Sequence, residues 1–489
     1  MRLQKRFGRF LATSLTVLAA GIAIGTLPGT MAARRDKVTS VKISKESFPG
    51  KYFREYVEKE LDRDGDGILS VKEIERVTSL VFDGDFKGES MKGIECFINL
   101  ETLSIDEDHW EEDSEETSAV RIQSLDLSGN PKLKKLVLTS CKLTDLNLSG
   151  NTNLETLYLS APLEKLDLSG FSRLVELDLS GKIKELGLDG DSKLEILSLK
   201  GPVKDLNLKG CDSLSKLTIK SNKLKKLDMT GNPELETLLL EGSLEELKFS
   251  KDAGPKKVEV AGNKLSKLEV PGNQLTVLTC ENNKLKKLDV TKAKNLKELI
   301  CYNNELTELK VTGNPKLEKL YCDGMALKSL DLKKNPALKN LSCCGNELEE
   351  LDLSKNHELT RLQCCGNQLS VLSLDQNDKL KYLDCSNNGL TQLDVSKQAE
   401  LQQLYANDNE LDELLIHREG ALKTLECARN NLSTLTGGKS LLYLNCEDNK
   451  LTNLNLDSSS ALTALNYRNN PLKDMDLSSN KELKLVNQD

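Results

Sequence analysis

A repeat of 21 residues, occasionally 20, governs the chain from about residue 100 onward. In one copy, Leu296, Leu299, Cys301, Asn304 and Leu306 follow the pattern L-x-x-L-x-(L/C)-x-x-(N/C)-x-L, and later copies keep the same frame. Self-similarity at this period is typical of a leucine-rich-repeat solenoid, in which each coil buries its apolar face only when a neighbour stacks on it. The pattern therefore predicts a curved parallel β-solenoid over residues 99–489, with about 18 short strand segments.

Each coil contains two arcs of similar pattern, so two segments compete for the concave strand. We assign that strand to the cysteine-bearing arc, because this arc carries the N-x-L extension. Side chains alternate along a strand, which turns outward the residues on either side of the second leucine and the residue after the cysteine. Six of the nine tyrosines take such positions: Tyr158, Tyr302, Tyr321, Tyr382, Tyr405 and Tyr443.

These outward positions predict a binding surface on the concave side of the solenoid. Rigid aromatic rings give contact area at low entropic cost and a hydroxyl for polar pairing. The alternative is that tyrosine simply fits a half-exposed strand. The predicted surface consists of Tyr302, Tyr321, Tyr382, Tyr405, Tyr443, Arg361, Gln363, Asp384 and Glu426.

Most of the 13 cysteines form an inward rung of the repeat. Side chains in register on adjacent parallel strands are separated by about 4.8 Å, which argues against bridges between neighbouring rungs. A linear ladder also does not converge on a tetrahedral zinc ion. We therefore expect buried, reduced thiols that act as small hydrophobic side chains. Cys344 and Cys365 instead face outward on neighbouring strands, and we expect them to be accessible thiols.

The composition narrows the class of protein. Hydrophobic residues make up 38% of the 489 residues, which is enough for a core, but aromatic residues make up only 4%. Burial must therefore come from small aliphatic side chains that are stacked many times. The net charge of −8 disfavours a polyanionic partner, so we expect no binding to nucleic acid.

Residues 1–33 have the features of a secretory signal peptide. A basic start that includes Arg2 and Lys5 precedes a largely apolar stretch from Phe10 to Leu27, followed by small residues that end at Ala33. The alternative is an uncleaved membrane anchor, because the apolar stretch is nearly long enough to span a bilayer. We expect a secreted, extracellular protein with no transmembrane span in the mature chain, associated with a cell surface at most non-covalently.

Residues 34–98 are predicted to form a helical cap that contains an EF-hand-like loop. The segment from Asp62 to Glu73 matches D-x-D-x-D-G with glutamate at position 12, and apolar residues on both sides have helical spacing. We expect calcium as the cofactor, at weak affinity and in a structural role; an acidic turn without metal and a dockerin-like docking module are the alternatives. The predicted ligands are Asp62, Asp64, Asp66, the Ile68 carbonyl, Ser70 through water, and Glu73.

The 21-residue coil with cysteine at one inward rung resembles the internalin J class of bacterial leucine-rich-repeat surface proteins, over roughly residues 100–489. Members of that class are secreted or wall-attached binding proteins, so the resemblance implies recognition or adhesion. This chain departs from the class because it has no sorting motif and no immunoglobulin-like or mucin-binding module. We therefore expect a recognition module that binds a protein or glycan.

Two other classes of function stay open at this stage. One is an envelope-structural or self-assembling scaffold. We expect the chain to be a monomer or to assemble through the C-terminal end of the solenoid. The other is an enzyme, which the sequence disfavours because His109, His357 and His417 share no metal-binding spacing and common catalytic motifs are absent. We predict that the chain is not an enzyme.

Overall fold

The computed structural model describes residues 39–488, except 84, 85, 87, 107–120, 140, 251–253, 273 and 474. Their secondary structure lies in one compact unit, Ser40–Asp489. The predicted signal peptide at residues 1–33 and His109 lie outside the described residues. Among the helices that are described, none has the length and apolar composition that a membrane span requires.

One long parallel sheet runs through the unit, with adjacent strands in register, as in the alignment of Leu299 with Leu320. The pairings run in a single file from the first strand to the last, so the sheet is open. Its strands within the described residues are Ser79–Asp83, Thr102–Asp106, Lys135–Leu138, Thr156–Ala161, Glu176–Gly181, Ile196–Lys200, Lys216–Ser221, Thr237–Gly242, Lys257–Glu259, Val277–Thr279, Glu298–Ile300, Lys319–Tyr321, Asn340–Ser342, Arg361–Gln363, Tyr382–Asp384, Gln403–Tyr405, Thr424–Glu426, Tyr443–Asn445, Ala464–Asn466 and Leu485–Asn487.

The second arc of the coils forms only isolated two-stranded parallel pairs. They are Ser124–Asp126 with Asp145–Asn147, Lys165–Asp167 with Glu185–Gly187, Lys226–Met229 with Glu246–Phe249, Leu288–Asp289 with Leu309–Lys310, Gln392–Val395 with Glu413–Ile416, and Thr434–Thr436 with Asn453–Asn455. The continuous sheet is therefore built by the arc that carries the cysteines.

Leucines from both arcs fill the space between them. Leu296, Leu299 and Leu306, which define the repeat in the sequence, are all fully buried, and so is Cys301. Each coil shares its core with the coils on either side, which is why a long file of short strands is stable. The structure confirms the predicted fold: a parallel leucine-rich-repeat solenoid of about 18 turns with little helix.

In the part of the chain that the structure describes, helices occur only before the second strand of the long sheet. An α-helix, Lys51–Tyr56, continues as a π-helical turn, Val57–Leu61; a second α-helix covers Val71–Arg76, and a 3-10 turn covers Ile94–Cys96. Phe53 packs edge-on against Phe48 and Phe97, which joins the first helix to the chain that enters the coils. The long sheet begins at Ser79–Asp83, inside the residues 34–98 that the sequence assigned to the cap.

Two series of buried or half-buried asparagines connect neighbouring coils. In the second arc, each side-chain amide donates to two backbone carbonyls of the preceding coil; we call this series the asparagine spine. For example, Asn151 Nδ2 lies 2.9 Å from Leu127 O and 2.8 Å from Asn130 O. The spine includes Asn130, Asn151, Asn232, Asn314, Asn335, Asn356, Asn377 and Asn480.

The second series follows the long sheet, and we call its members the turn asparagines. Asn304 Nδ2 donates to the carbonyls of Cys280 and Cys301, and its Oδ1 accepts from Leu285 N. These amides therefore satisfy backbone groups at the point where each strand ends. The turn asparagines are Asn263, Asn283, Asn304, Asn346, Asn367, Asn388, Asn409, Asn430, Asn449 and Asn470.

Candidate functional site

The loop predicted to bind calcium brings three carboxylates together. Ligand oxygens of Asp62, Asp64 and Asp66 all lie within 4.8 Å of one another. The backbone amides of Gly65 and Gly67 each donate to one oxygen of Asp62 at 2.9 Å. Gly67 has a φ of +79°, a left-handed conformation that glycine adopts without a Cβ clash. The chain therefore wraps around Asp62, as a loop of this motif requires.

Glu73 and Ser70 are placed differently from the three aspartates. Ser70 is the N-cap of the helix Val71–Arg76, and it forms a capping box with Glu73. The Glu73 amide donates to Ser70 Oγ, and Glu73 Oε2 accepts from Ser70 N and from Ser70 Oγ. Glu73 Oε1 accepts from Arg63 N at 2.7 Å. The amides of Arg63 and Ser70 lower the pKa of Glu73, which keeps this carboxylate charged. Glu73 lies outside the group of three aspartates, so its role as a ligand stays a prediction.

The loop is also held by a strand that the sequence analysis missed. Ile68–Leu69 pairs antiparallel with Val41–Lys42, and Ile43 N donates to Gly67 O at 2.9 Å. The loop therefore has a paired strand, although no second loop of its kind supplies it. Three converging carboxylates and a wrapped, braced backbone fit a hard cation that prefers oxygen ligands, such as calcium.

The predicted binding surface lies on the outer face of the long sheet. Along the strand Tyr382–Asp384, Tyr382 and Asp384 are half-buried and face outward, whereas Leu383 and Cys385 are fully buried. The same alternation holds in neighbouring coils, so the predicted outward orientation of the tyrosines is confirmed. Register places Arg361, Tyr382 and Gln403 in one row across three strands.

Four side chains at the centre of this surface are linked by pairwise contacts. The Arg361 guanidinium lies over the Tyr382 ring, 3.6 Å from its centroid, and Arg361 Nε donates to Gln363 Oε1 at 3.2 Å. The Tyr382 and Tyr405 rings are tilted at 41° with centroids 5.6 Å apart. Burial and the nearby Asp384 carboxylate raise the pKa of Tyr382, so its phenol stays neutral. The cluster is pre-organised by cation–π and ring–ring contacts.

The acids beside this cluster are also held in place. Asp384 Oδ1 accepts from Ser386 N at 3.1 Å, and Glu426 Oε2 accepts from Asn407 Nδ2 at 3.0 Å. Tyr443 lies on the next strand beyond Glu426, and burial together with this carboxylate raises its pKa. The surface therefore offers fixed donors and acceptors around the aromatic centre.

Two of the predicted residues lie apart from the cluster. Tyr321 is separated from Gln363 by the intervening strand Asn340–Ser342, which places it about 10 Å away at the usual strand spacing. Tyr302 lies in the preceding coil, two residues after Ile300, which is the register partner of Tyr321. Burial and the carboxylates of Glu281 and Asp323 raise the pKa of Tyr302. These two tyrosines share the face of the cluster but not its contacts.

The expectation of accessible thiols at Cys344 and Cys365 was wrong, because the structure joins the two residues in a disulfide. Their Cα atoms are 4.6 Å apart, which lies within the range of disulfides. The spacing argument was applied to inward rungs, whereas outward side chains on adjacent strands can rotate toward each other. Two outward cysteines exactly one repeat apart were the signal that could have indicated the bridge. The bond lies on the outer face between Tyr321 and the cluster.

The inward cysteines remain free thiols in the structure, as expected. Burial raises the pKa of these thiols, to about 12 at Cys446, so they are kept protonated. The buried free cysteines of the rung are Cys280, Cys301, Cys322, Cys343, Cys364, Cys385, Cys427 and Cys446.

Comparison with solved structures places this architecture among known leucine-rich-repeat proteins. The chain is similar to the functional domain of InlJ from Listeria monocytogenes, which includes a cysteine ladder, with 24% identity over 88% of this chain and 82% of that chain and a TM-score of 0.56. It is also similar to YopM from Yersinia enterocolitica WA-314, with 23% identity over 76% of this chain and 92% of that chain and a TM-score of 0.55. At these identities the likeness establishes the fold.

No protein-family model matches the chain, and neither does any curated protein sequence. The function must therefore be argued from the chain's own residues.

Proposed function

We propose that the chain is a protein-binding module that holds its partner on the outer face of the long sheet, between the strands Arg361–Gln363 and Tyr443–Asn445. The observation that carries this proposal is the contact cluster of Arg361, Tyr382 and Tyr405. Arginine and tyrosine are the residue types that dominate binding energy at protein interfaces. Here they are half-buried and already in contact, so little side-chain entropy is lost when a partner docks.

The setting of the cluster favours a polar protein surface as the partner. Asp384 and Glu426 flank the tyrosines with carboxylates whose orientations are fixed by hydrogen bonds. A partner that presents lysine or arginine near an apolar side chain would meet both the rings and these acids. A glycan is the alternative ligand for this surface, through the same hydroxyl and carboxylate groups.

We further propose that the module acts outside the cytoplasm. The signal-peptide features of residues 1–33 support export. The Cys344–Cys365 disulfide supports it as well, because such bonds persist in oxidising compartments. Adhesion to a surface is the role that fits an exported binding module, and we propose no catalytic role.

We also propose that the N-terminal loop binds calcium as a structural ion. Asp62, Asp64 and Asp66 would hold it, with the Ile68 carbonyl, Ser70 and Glu73 as the remaining predicted ligands. The ion would offset the repulsion among three carboxylates next to the first helix. The loop would then stabilise the end of the solenoid where the long sheet begins.

The binding proposal is tested with the mature chain as bait. Partners are captured from an extracellular protein extract, and the dissociation constant of the purified complex is measured by calorimetry. Tyr382→Ala and Tyr405→Ala should each weaken binding by roughly 5- to 30-fold, as for interface hot spots. The melting temperature should change little, because both side chains lie outside the core.

Tyr467→Ala is the matched control. This half-buried tyrosine donates to Gln488 Oε1 near the end of the described chain, away from the cluster, and its loss should leave affinity unchanged. If the triple variant of Tyr321, Tyr382 and Tyr405 to alanine binds as tightly as the wild type, the partner does not use this surface and the proposal is rejected.

A further inference from the structure

One coil carries a buried acid at the level where the asparagine spine carries its amides. The strands Lys165–Asp167 and Glu185–Gly187 pair with a 20-residue offset, which aligns Asp191 with Phe171 of the preceding coil. Asp191 is 0% exposed, as Asn130 and Asn151 are at the same level of earlier coils. Within the described structure, neither carboxyl oxygen of Asp191 has a hydrogen-bond partner.

The spine shows what surrounds a side chain at this level. Asn151 donates both amide hydrogens to carbonyl oxygens of the preceding coil, those of Leu127 and Asn130. With the 20-residue offset, the corresponding carbonyls for Asp191 belong to Leu168 and Phe171. A carboxylate has no hydrogen to donate to them, and it would bring a negative charge to two negative dipole ends. A protonated carboxyl group has one hydrogen and can replace one of the two missing bonds.

The charged and titratable groups around Asp191 do not supply a compensating cation. Asp189 and Asp167 add negative charge from the second arc. The Phe171 amide donates to Leu168 O at 3.0 Å and so makes no hydrogen bond to Asp191, but it lies near enough to favour the carboxylate. On the next coil, the Cys211 thiol lies close to Asp191, and burial raises its pKa to about 11, so it is neutral. Every charged group that acts on Asp191 is therefore an acid.

We propose that Asp191 holds a proton in the folded chain and makes the local stability of the coils between Phe171 and Cys211 depend on pH. These coils are more stable in mild acid and open more readily at neutral to alkaline pH.

The direction of the effect follows from linkage. Burial, opposed by the Phe171 amide, raises the pKa of Asp191 to about 7 in the folded chain, against roughly 3.9 when the coil is open. The folded coil thus binds the proton more tightly than the open coil does. The stability that protonated Asp191 contributes to its coil is fully present below about pH 4. It falls as pH rises toward 7, and above pH 7 the coil stays at the lower stability. The opening constant should rise about tenfold per pH unit in that window, and so about 100-fold between pH 5 and pH 8.

The test compares the full chain with Asp191→Asn, which restores the amide found in the rest of the spine. Hydrogen exchange of residues 188–194 is followed at pH 5 and pH 8, corrected for the intrinsic pH dependence of exchange. In the wild type, protection from exchange should be about 100-fold lower at pH 8 than at pH 5, and in Asp191→Asn it should differ little between the two pH values. At pH 8 the variant should also melt at a higher temperature than the wild type.

A second variant transplants the acid into an intact part of the spine. Asn335 donates to the carbonyls of Val311 and Asn314 at 2.9 Å each, so Asn335→Asp should confer the same pH dependence on its own coil. An infrared difference between the wild type and Asp191→Asn at pH 6 should show one protonated carboxyl group. The proposal is overturned if Asp191→Asn keeps the full pH dependence, if it is less stable than the wild type at pH 8, or if that infrared band is absent.

Discussion

The coils before and after about residue 250 solve the same packing problem in two ways. In the earlier coils, strands such as Thr156–Ala161 and Thr237–Gly242 have six residues, and the inward residue near the strand end is large, for example Leu159 or Leu240. In the later coils the strands have three residues, and a turn asparagine takes over where the strand stops. The inward residue at the equivalent position there is small, except for Tyr467 in the last of these coils.

The size of that inward residue is linked to the type of turn. Val260, Cys301 and Ala406 occupy it in coils that have a turn asparagine, and all three are fully buried. The residue that precedes the asparagine has a positive φ, as at Asn303 with +52°. The chain therefore turns sharply and brings a polar amide back toward the core, beside the small side chain. Where the strand continues instead, leucine or isoleucine fills that space. The cysteine rung is thus explained by packing beside the turn.

The largest effect is expected from removing a turn asparagine. Asn304→Ala breaks the bonds to Cys280 O, Cys301 O and Leu285 N, and leaves these buried groups unpaired. At about 1 kcal/mol per bond, the free energy of unfolding should fall by about 3 kcal/mol. Urea denaturation of the full chain measures this fall in the free energy of unfolding. In the earlier coils, Ser221→Ala removes the bond from Ser221 Oγ to Val203 O at 3.0 Å and two longer bonds from the amides of Lys223 and Leu224 at 3.3 and 3.4 Å. Because two of the three bonds are long, the cost should be smaller, about 1–2 kcal/mol. Equal losses would mean that the two kinds of turn do not differ energetically.

A reciprocal exchange of inward residues should produce a smaller effect. Cys364→Leu puts a large side chain beside a turn asparagine, and Leu179→Cys leaves a cavity where a long strand continues; both positions are buried. Each change should lower the free energy of unfolding by about 2 kcal/mol, the first through overpacking and the second through lost contacts. Chemical denaturation measures both, with Cys364→Ala as the control, since Ala406 occupies this position in another coil. A harmless Cys364→Leu would show that packing does not select the cysteine rung.

Calcium should give the smallest effect and should act at the N-terminal end alone. With a dissociation constant of about 1 mM, as in extracellular sites, 10 mM calcium stabilises the loop by about 1 kcal/mol. Hydrogen exchange should slow in residues 51–106 and remain unchanged in the cysteine-bearing coils. Asp64→Ala should abolish the effect, because it removes one ligand without breaking the Asp62 bonds to Gly65 and Gly67. No heat of binding at millimolar calcium in the wild type would reject the site.

The features that could be predicted from the sequence are those that recur. Leu299, Cys301 and their counterparts repeat many times, and the alternation of side chains along a strand then fixes which residues face the core and which face outward. That reasoning placed Tyr382 and Tyr405 on the outer face of the long sheet, where the structure has them.

The features that could not be predicted occur once. The strand Ser79–Asp83 does not follow the leucine and cysteine pattern of the repeat. The sequence analysis therefore assigned this first strand of the sheet to the cap. Val41–Lys42 pairs with Ile68–Leu69, and the sequences of these two segments share no pattern that would indicate the pairing. The contact of Arg361 with Tyr382 depends on rotamers, which the order of residues does not specify. The capping role of Glu73, by contrast, had a signal in the sequence, because the spacing of Ser70 and Glu73 is that of a capping box.

The interruption of the asparagine spine has a mechanical consequence. A solenoid that is pulled along its axis transmits force from coil to coil through the bonds that cross between them. Asn151 and Asn232 each add two such bonds to those of the sheet, but the three coils between them carry Phe171, Asp191 and Cys211 at this level, and none of these supplies an amide. Gly272 and Ala293 lie at the same level and supply no side-chain amide either. Under tension, extension should begin in such stretches, whereas Asn335, Asn356 and Asn377 add their bonds beside the strands of Arg361 and Tyr382.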